Sequence, residues 1–374
     1  MKRILSFALS LCVTAFAGTL AAQEKAPDDW RARWAALQER AKGQSLVISV
    51  HSQDGYAATV RAFQRKFPGI KVAITEIIPD AMVTRVLNEQ RNNMFAWDVM
   101  WASTTNMNAL LIPAGAFQDL EPLLLLPEVT DKNQWHATDY QWTTPKAKQV
   151  FIHALFKTVL AHQNMDNSKG VKVTSLDQLL DPSFKGKIGI RDPYHANGGT
   201  WMFGSFYQKK GPEFMRQFYA QMDLVVNMNP RQAADALIRG DMALALGTTS
   251  DVISRCKKSG GCKNIAPLPF GGLIGSRGVA VFKNAPNAAA ATLFVNWLLS
   301  KEGQEAFVAE FAKLNESDAV SRRKDVSPPA NTLHQDSVPE WANLPNEYIP
   351  GIDAGNVALE AAMKLYVDVK GRAR

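Results

Sequence analysis

After a leading apolar stretch, hydrophobic positions along the chain switch between two periods. Trp30, Trp34, Leu37 and Ala41 recur at helical spacing, and Gly43 stops that helix. Residues 45–50 (Ser-Leu-Val-Ile-Ser-Val) form an apolar run of strand length. Tyr56, Val60, Phe63 and Phe67 return to the helical period, which Pro68-Gly69 ends. Residues 70–78 alternate as a second strand, 81–91 read as a helix and 97–102 as a third strand. This β-α-β-α-β order requires crossover connections, so the strands are expected to pair in parallel in an α/β fold.

The stretch 113–148 has no clear period, and 150–161 is a long apolar run that predicts a strand continuing into another part of the molecule. The alternation then restarts: helix 175–180, strand 187–191, helices 200–210 and 212–222, strand 224–228, helix 231–239, strand 242–246. A strand at 278–282 and helices at 286–299 and 301–314 follow. Residues 322–350 are rich in Pro, Asn and Ser and read as loop, and 355–369 as a closing helix. The restart predicts two lobes. The expected division is a leader at 1–22, an N-terminal helix at 23–43, a first lobe at 44–160 and a second lobe at 161–270. Residues 271–374 are then expected to return to the first lobe with a strand, helices and a tail.

The leader changes the setting. Lys2 and Arg3 precede an apolar run from Ile4 to Ala17, and small residues follow through Ala22. That is the pattern of a secretory signal peptide, so the mature chain is expected in the periplasm. The mature chain then holds only Cys256 and Cys262, flanking Lys-Lys-Ser-Gly-Gly. In an oxidising compartment a pair this close points to a disulfide; the alternative, a metal site, has no neighbouring His. The formal charge is +7, with no basic run longer than Arg322, Arg323 and Lys324, which argues against a nucleic-acid partner.

Enzyme signatures are missing from the sequence. None of the six histidines forms a His-Glu-x-x-His pattern, and there is no Gly-x-Ser-x-Gly elbow, Walker loop or dinucleotide fingerprint. Ser-x-x-Lys occurs at Ser254–Lys257 and Ser321–Lys324, without its companion Lys-Thr-Gly. No cofactor or metal is expected. What stands out is a set of loops at the C-terminal ends of predicted parallel strands, the edge where open α/β sheets take ligands. They hold His51 to Gly55, Ser103-Thr104-Thr105, Asn197-Gly198-Gly199-Thr200 and Gly247-Thr248-Thr249-Ser250. Hydroxyls and glycine-freed N–H groups before a helix suit an anion, although each Ser or Thr could equally serve as an N-cap. Arg191 and Arg277 lie near strand ends and could pair with an anionic solute or with each other's lobe. Tyr56, Trp101, Tyr194 and Trp201 neighbour the same loops and offer stacking faces or core packing.

Several segments in this order resemble the periplasmic solute-binding proteins of ABC importers, in the family that includes ferric-ion, phosphonate and sugar-phosphate receptors. They are Phe67-Pro-Gly-Ile-Lys-Val72, Trp97-Asp-Val-Met-Trp-Ala-Ser103, Leu179 to Ile188, Arg239 to Gly247, Gly278 to Asn287 and Leu298-Leu-Ser-Lys-Glu-Gly-Gln304. The resemblance implies a two-lobed, class II-like fold with two crossing strands as hinge, near 156–161 and 273–277, and a solute held between the lobes. It implies a monomeric receptor that passes a small solute to ABC permease subunits; the alternatives are a sensing partner of a membrane receptor or a periplasmic hydrolase. The implied solute-binding set is Ser52, Ser103, Thr104, Asn197, Gly198, Gly199, Thr200, Thr248, Thr249, Ser250 and Arg277. One departure bears on the solute. Where the family's ferric receptors carry adjacent tyrosines, this chain has Ser250 and Asp251, and the acidic ligand after the third strand is replaced by Ser103-Thr104-Thr105. Fe³⁺ wants phenolate and carboxylate oxygens, so an anion such as a phosphonate, a sugar phosphate or a carboxylate is expected instead.

Overall fold

The computed structural model describes residues 29–51, 54–76, 79–104, 107–136, 142–143, 148–168, 171–193, 200–227, 230–248, 252, 255–256, 262–270, 272–314, 320–328 and 348–371. The expected leader lies outside these residues.

The chain opens with α1 (Trp30–Ala41), capped by the Asp29 carboxylate, which accepts from the Ala32 N–H. Then come β1 (Ser45–Val50), α2 (Asp54–Lys66), β2 (Lys71–Glu76), α3 (Pro79–Arg91) and β3 (Val99–Ser103). β1 pairs in parallel with both β2 and β3, as the alternating pattern requires. Short helical turns fill the stretch after β3, including a π-helical turn at Met107–Leu111. β4 (Phe151–Val159) leads almost without a break into β5 (Ala161–Asn164). The second half holds β6 (Ile188–Arg191), α4 (Trp201–Gln221), β7 (Val225–Asn227), α5 (Pro230–Arg239), β8 (Leu244–Leu246) and β9 (Ile265–Pro267). β10 (Gly272–Val281), α6 (Ala288–Leu299), α7 (Lys301–Leu314), β11 (Val320–Ser321) and α8 (Tyr348–Lys370) complete the described elements.

Two sheets result, ordered β11-β4-β10-β3-β1-β2 and β7-β6-β8-β5-β9. β4 belongs to the first and β5 to the second, with only Leu160 between them. β9 and β10 repeat the crossing in the opposite direction, and β4 and β10 pair antiparallel along it, from Gly272 opposite Val159 onwards. The long apolar run at 150–161 is therefore two strands in two lobes. Apolar residues of β1, β3, β4 and β10 pack under α2, α6 and α7 on one face of the first sheet, and under α3 and the π-helical turn on the other. Being covered on both faces explains why β1 reads as an unbroken apolar run.

Polar groups tie the first lobe together. The buried Asp98 carboxylate accepts from the Val47 N–H at 2.8 Å and from the Asn287 N–H at 2.7 Å; burial pushes its pKa up. His153 on β4 receives the Trp101 indole N–H on Nε2 at 2.7 Å. An indole only donates, so Nδ1 carries the imidazole proton and faces the Gln304 amide, whose Nε2 lies at 2.9 Å and Oε1 at 3.3 Å. Gln304 Oε1 also accepts from the Ser321 hydroxyl at 2.8 Å, joining α7 to β11. Arg322 and Arg323, two members of the longest basic run, are each 1% exposed. Arg323 pairs with Asp325, donates to the carbonyls of Glu128 and Leu299, and lies over the Trp135 ring.

Two elements differ from the sequence expectation, and a third follows it. The two helices expected at 200–210 and 212–222 are both present and abut within α4 at Gly211, whose φ of 76° before Pro212 breaks the helical path, a conformation glycine tolerates. The helix expected at 175–180 is a pair of 3₁₀ turns, Asp177–Leu180 and Pro182–Phe184. The closing helix, placed with the first lobe by its position in the sequence, packs on the second instead. Ala362, Leu365 and Tyr366 join a core with Phe203, Phe206 and Tyr219 of α4, and the Tyr219 and Tyr366 rings meet edge-on at 5.0 Å. Its apolar stripe finds an open face on α4, which no element between β4 and β9 covers as fully.

Candidate functional site

The first lobe brings its candidate residues to one sheet edge. β1 ends at Val50 and is followed by His51; β3 ends at Ser103 and is followed by Thr104. Arg277 of β10 stands opposite Ser103 in the ladder, so all three strands deliver polar side chains to the same edge. Thr104 and Ser276 are both 4% exposed, and their hydroxyls meet at 2.5 Å. Thr104 thus braces the lip of the edge, while Ser103 is half-buried at its rim.

Arg277 is the dominant charge. It is 3% exposed, and its Nη1 donates to the Tyr56 hydroxyl at 2.6 Å. Tyr56, Phe156 and Phe311 place ring centres 5.2, 4.6 and 4.7 Å from the guanidinium carbon. Three aromatic faces around a cation offset part of its lost hydration. His51 stacks on Tyr56 with ring centres 6.3 Å apart, and its buried Nδ1 has no hydrogen-bond partner among the described residues. Burial first, and the Arg277 charge second, lower its pKa to about 4, so it is neutral at neutral pH.

In the second lobe, Thr200 occupies the N-cap position of α4 and is fully buried, yet its side chain makes no capping bond to the helix. Thr248 follows β8 and is 1% exposed; its hydroxyl lies 3.3 Å from His162 Nδ1. The N–H groups of Gly247 and Thr248 both donate to the Leu160 carbonyl, tying this loop to the residue between β4 and β5. Burial lowers the His162 pKa to about 4. Cys256 and Cys262 form a disulfide just beyond the loop, with Cα atoms 5.1 Å apart. Ser52, Asn197, Gly198, Gly199, Thr249 and Ser250 lie outside the described residues. Asp192 is buried at the end of β6, whereas Asp54 at the start of α2 is exposed. Among the described residues no three His, Cys, Asp or Glu side chains group as a metal site, and no helix is long and apolar enough to cross a membrane.

Sequence reasoning placed His51 in a candidate ligand loop without singling it out as a contact, and passed over Ser276 and Phe156 as site residues. His51 carried a usable signal, since it is the first residue after a buried strand. Ser276 and Phe156 carried none, because their place depends on the β4–β10 register.

The description of the bacterial extracellular solute-binding proteins matches residues 58–317 of the chain. A protein of Haemophilus influenzae without assigned function is 28% identical over 132 residues; the match spans 34% of this chain and 37% of that relative's length. Iron-bound HitA of Pseudomonas aeruginosa superposes with a TM-score of 0.65 at 20% identity, covering 86% of this chain and 99% of that one. AfuA of Actinobacillus pleuropneumoniae, a periplasmic binding protein with fructose-6-phosphate bound, does so with a TM-score of 0.66 at 18% identity, covering 88% and 99%.

Proposed function

The chain belongs to the bacterial extracellular solute-binding proteins, and on that footing we propose that it is a periplasmic receptor that closes its two lobes on a small anionic solute and hands it, chemically unchanged, to an ABC permease. The observation that carries the anionic reading is Arg277. A guanidinium at the ligand edge, ringed by aromatics and opposite Ser103, offers charge-assisted hydrogen bonds in a poorly solvated place, where they are strongest. His51 beside it adds a nitrogen with no partner among the described residues. From the second lobe, Asn197-Gly198-Gly199-Thr200 is assigned the complementary role: its N–H groups and the start of α4 hold the anionic end, aided by the helix dipole. Thr248, Thr249 and Ser250 supply further hydroxyls. The fructose-6-phosphate held by AfuA makes a phosphorylated sugar the first solute to try, ahead of a phosphonate or a carboxylate. The iron bound by HitA does not transfer, because Ser250 and Asp251 stand where ferric receptors carry tyrosines.

Native mass spectrometry of freshly purified protein, followed by calorimetric titration with fructose-6-phosphate, 2-aminoethylphosphonate and citrate, tests the reading. One of these classes is expected to bind, unhydrolysed, and Gly199→Val is expected to weaken it by about 100-fold or more by filling the anion's space. A co-purified cation or polyamine sinks the anionic reading. A folded Gly199→Val protein that binds as tightly as its parent moves the contact away from this loop.

A further inference from the structure

The aromatic enclosure of Arg277 is asymmetric. Gly275 stands directly opposite Phe156 in the β4–β10 ladder, and Arg277 opposite Ala154. Residues two apart share a face, so Phe156 reaches diagonally over Gly275 to Arg277. A Cβ on Gly275 would fall 2.7 Å from two ring carbons of Phe156, so only glycine lets the ring lie down on the strand here. Of the three rings around the guanidinium, Tyr56 and Phe311 are fully buried, whereas Phe156 is half-buried. Phe156 is therefore the most exposed of the three rings against the guanidinium. It also sits on β4 four residues before Leu160, where the chain passes into the second lobe, and Arg277 sits on the other crossing strand.

We propose that Phe156 is a movable cover for Arg277, shielding the guanidinium from water when no solute is bound and swinging aside to admit the anionic group of an entering solute. The idea rests on the anionic reading above, but its first half concerns the protein alone. A buried cation without water is costly unless something compensates, and the ring face supplies part of that compensation in the empty state. An anion supplies more, because its hydrogen bonds to the guanidinium form in a place that excludes water. The exchange of ring for anion then favours solutes whose charged end is small enough to enter beside Tyr56 and Phe311.

The cover is tested without any solute by arginine modification. The mature full-length protein and its Phe156→Ala and Phe156→Leu variants are treated with phenylglyoxal, and the rate at Arg277 is read by peptide mass spectrometry against exposed Arg61 as internal standard. Circular dichroism confirms that each variant folds. Arg277 is expected to react about tenfold faster in Phe156→Ala, with Arg61 unchanged and Phe156→Leu in between. Gly275→Ala, which lifts the ring, is expected to act in the same direction. Equal rates at Arg277 in parent, Phe156→Ala and Gly275→Ala overturn the cover. Stopped-flow mixing with fructose-6-phosphate tests the second half: the association rate is expected to rise several-fold in Phe156→Ala. A solute that binds the parent and the variant at the same rate removes the gating role. If the parent binds no phosphorylated or carboxylate solute, the anionic reading fails while the labelling result still decides the cover.

Discussion

Acid is expected to unfold this protein through its buried histidines. His153 is fully buried and His162 is 2% exposed. Burial holds their pKa values at about 3 and about 4, against 6.5 for an ordinary histidine. For His153 the field of Arg277 adds to the lowering. Protonating His153 also breaks a bond, since its Nε2 must stay bare to accept the Trp101 indole N–H. The unfolded chain therefore takes up protons that the folded one refuses, and stability rises with pH wherever that is so. The contribution is fully present above the unfolded pKa of 6.5 and is lost as pH falls toward the folded values. Each histidine changes stability by about 1.4 kcal/mol per pH unit in that window, so the two together remove about 4 kcal/mol between pH 6 and 4.5. That is a large share of the ~5–15 kcal/mol that holds a typical domain. Asp98, whose pKa is raised by burial, works in the opposite sense at lower pH, so the contrast must come from a variant. Urea unfolding of the parent and of His153→Gln, followed by tryptophan fluorescence at pH 7, 6, 5 and 4.5, isolates it. The variant is expected to start weaker at pH 7 but to lose stability more slowly, by about 1.4 kcal/mol less per pH unit. Parallel lines of stability against pH for the two proteins would refute the reasoning.

Other expectations follow from single contacts. Arg323→Ala leaves the Glu128 and Leu299 carbonyls and the Trp135 face without the guanidinium, while the exposed Asp325 carboxylate stays in water, and is expected to cost about 1–3 kcal/mol in urea unfolding, more than Arg65→Ala at an exposed pair. Reducing the Cys256–Cys262 disulfide releases a short loop, and is expected to weaken the second lobe by about 2 kcal/mol, seen as a lower melting temperature in dithiothreitol. Thr104→Val leaves the Ser276 hydroxyl buried without its partner, and is expected to cost about 1–3 kcal/mol; an unchanged unfolding midpoint would mean that the hydroxyl pair contributes nothing.

Much of the architecture can be read from one dimension, and the exceptions have physical reasons. β1, β2 and β3 announce themselves because sheet burial and helix amphipathicity impose different periods. β9 and β11, of three and two residues, carry too few positions for a period to appear. The burial of Arg323 in the basic trio at 322–324 is not legible, because hydropathy cannot show that it finds Asp325 and two carbonyls. At the candidate edge, Ser103 and Thr104 are legible as strand-end residues, since strand ends are set locally, whereas Arg277, expected just before a strand, lies inside β10. The aromatic enclosure is not legible: Tyr56, Phe156 and Phe311 come from α2, β4 and α7, and only the tertiary fold brings them around one guanidinium.

The packing of α8 on α4 has a consequence for how the molecule comes into being. Chain that crosses a membrane unfolded emerges from its N-terminal end, and each lobe can close only when its last segment arrives. The first lobe has every strand of its sheet by Ser321. The second lobe has all of its strands by Pro267 but still exposes the apolar side of α4 around Phe203, Phe206 and Tyr219 until residues 348–370 are delivered. Contacts this far apart in sequence form late, because a long loop must close before they are rewarded. The later-encoded lobe boundary is thus inverted in time: the strands of the second lobe emerge before β10, yet its core is sealed after the first lobe's. A chain cut short before Tyr348 would arrive with a finished first lobe and a sticky, half-clad second one, and would be a natural substrate for chaperones and proteases of the envelope.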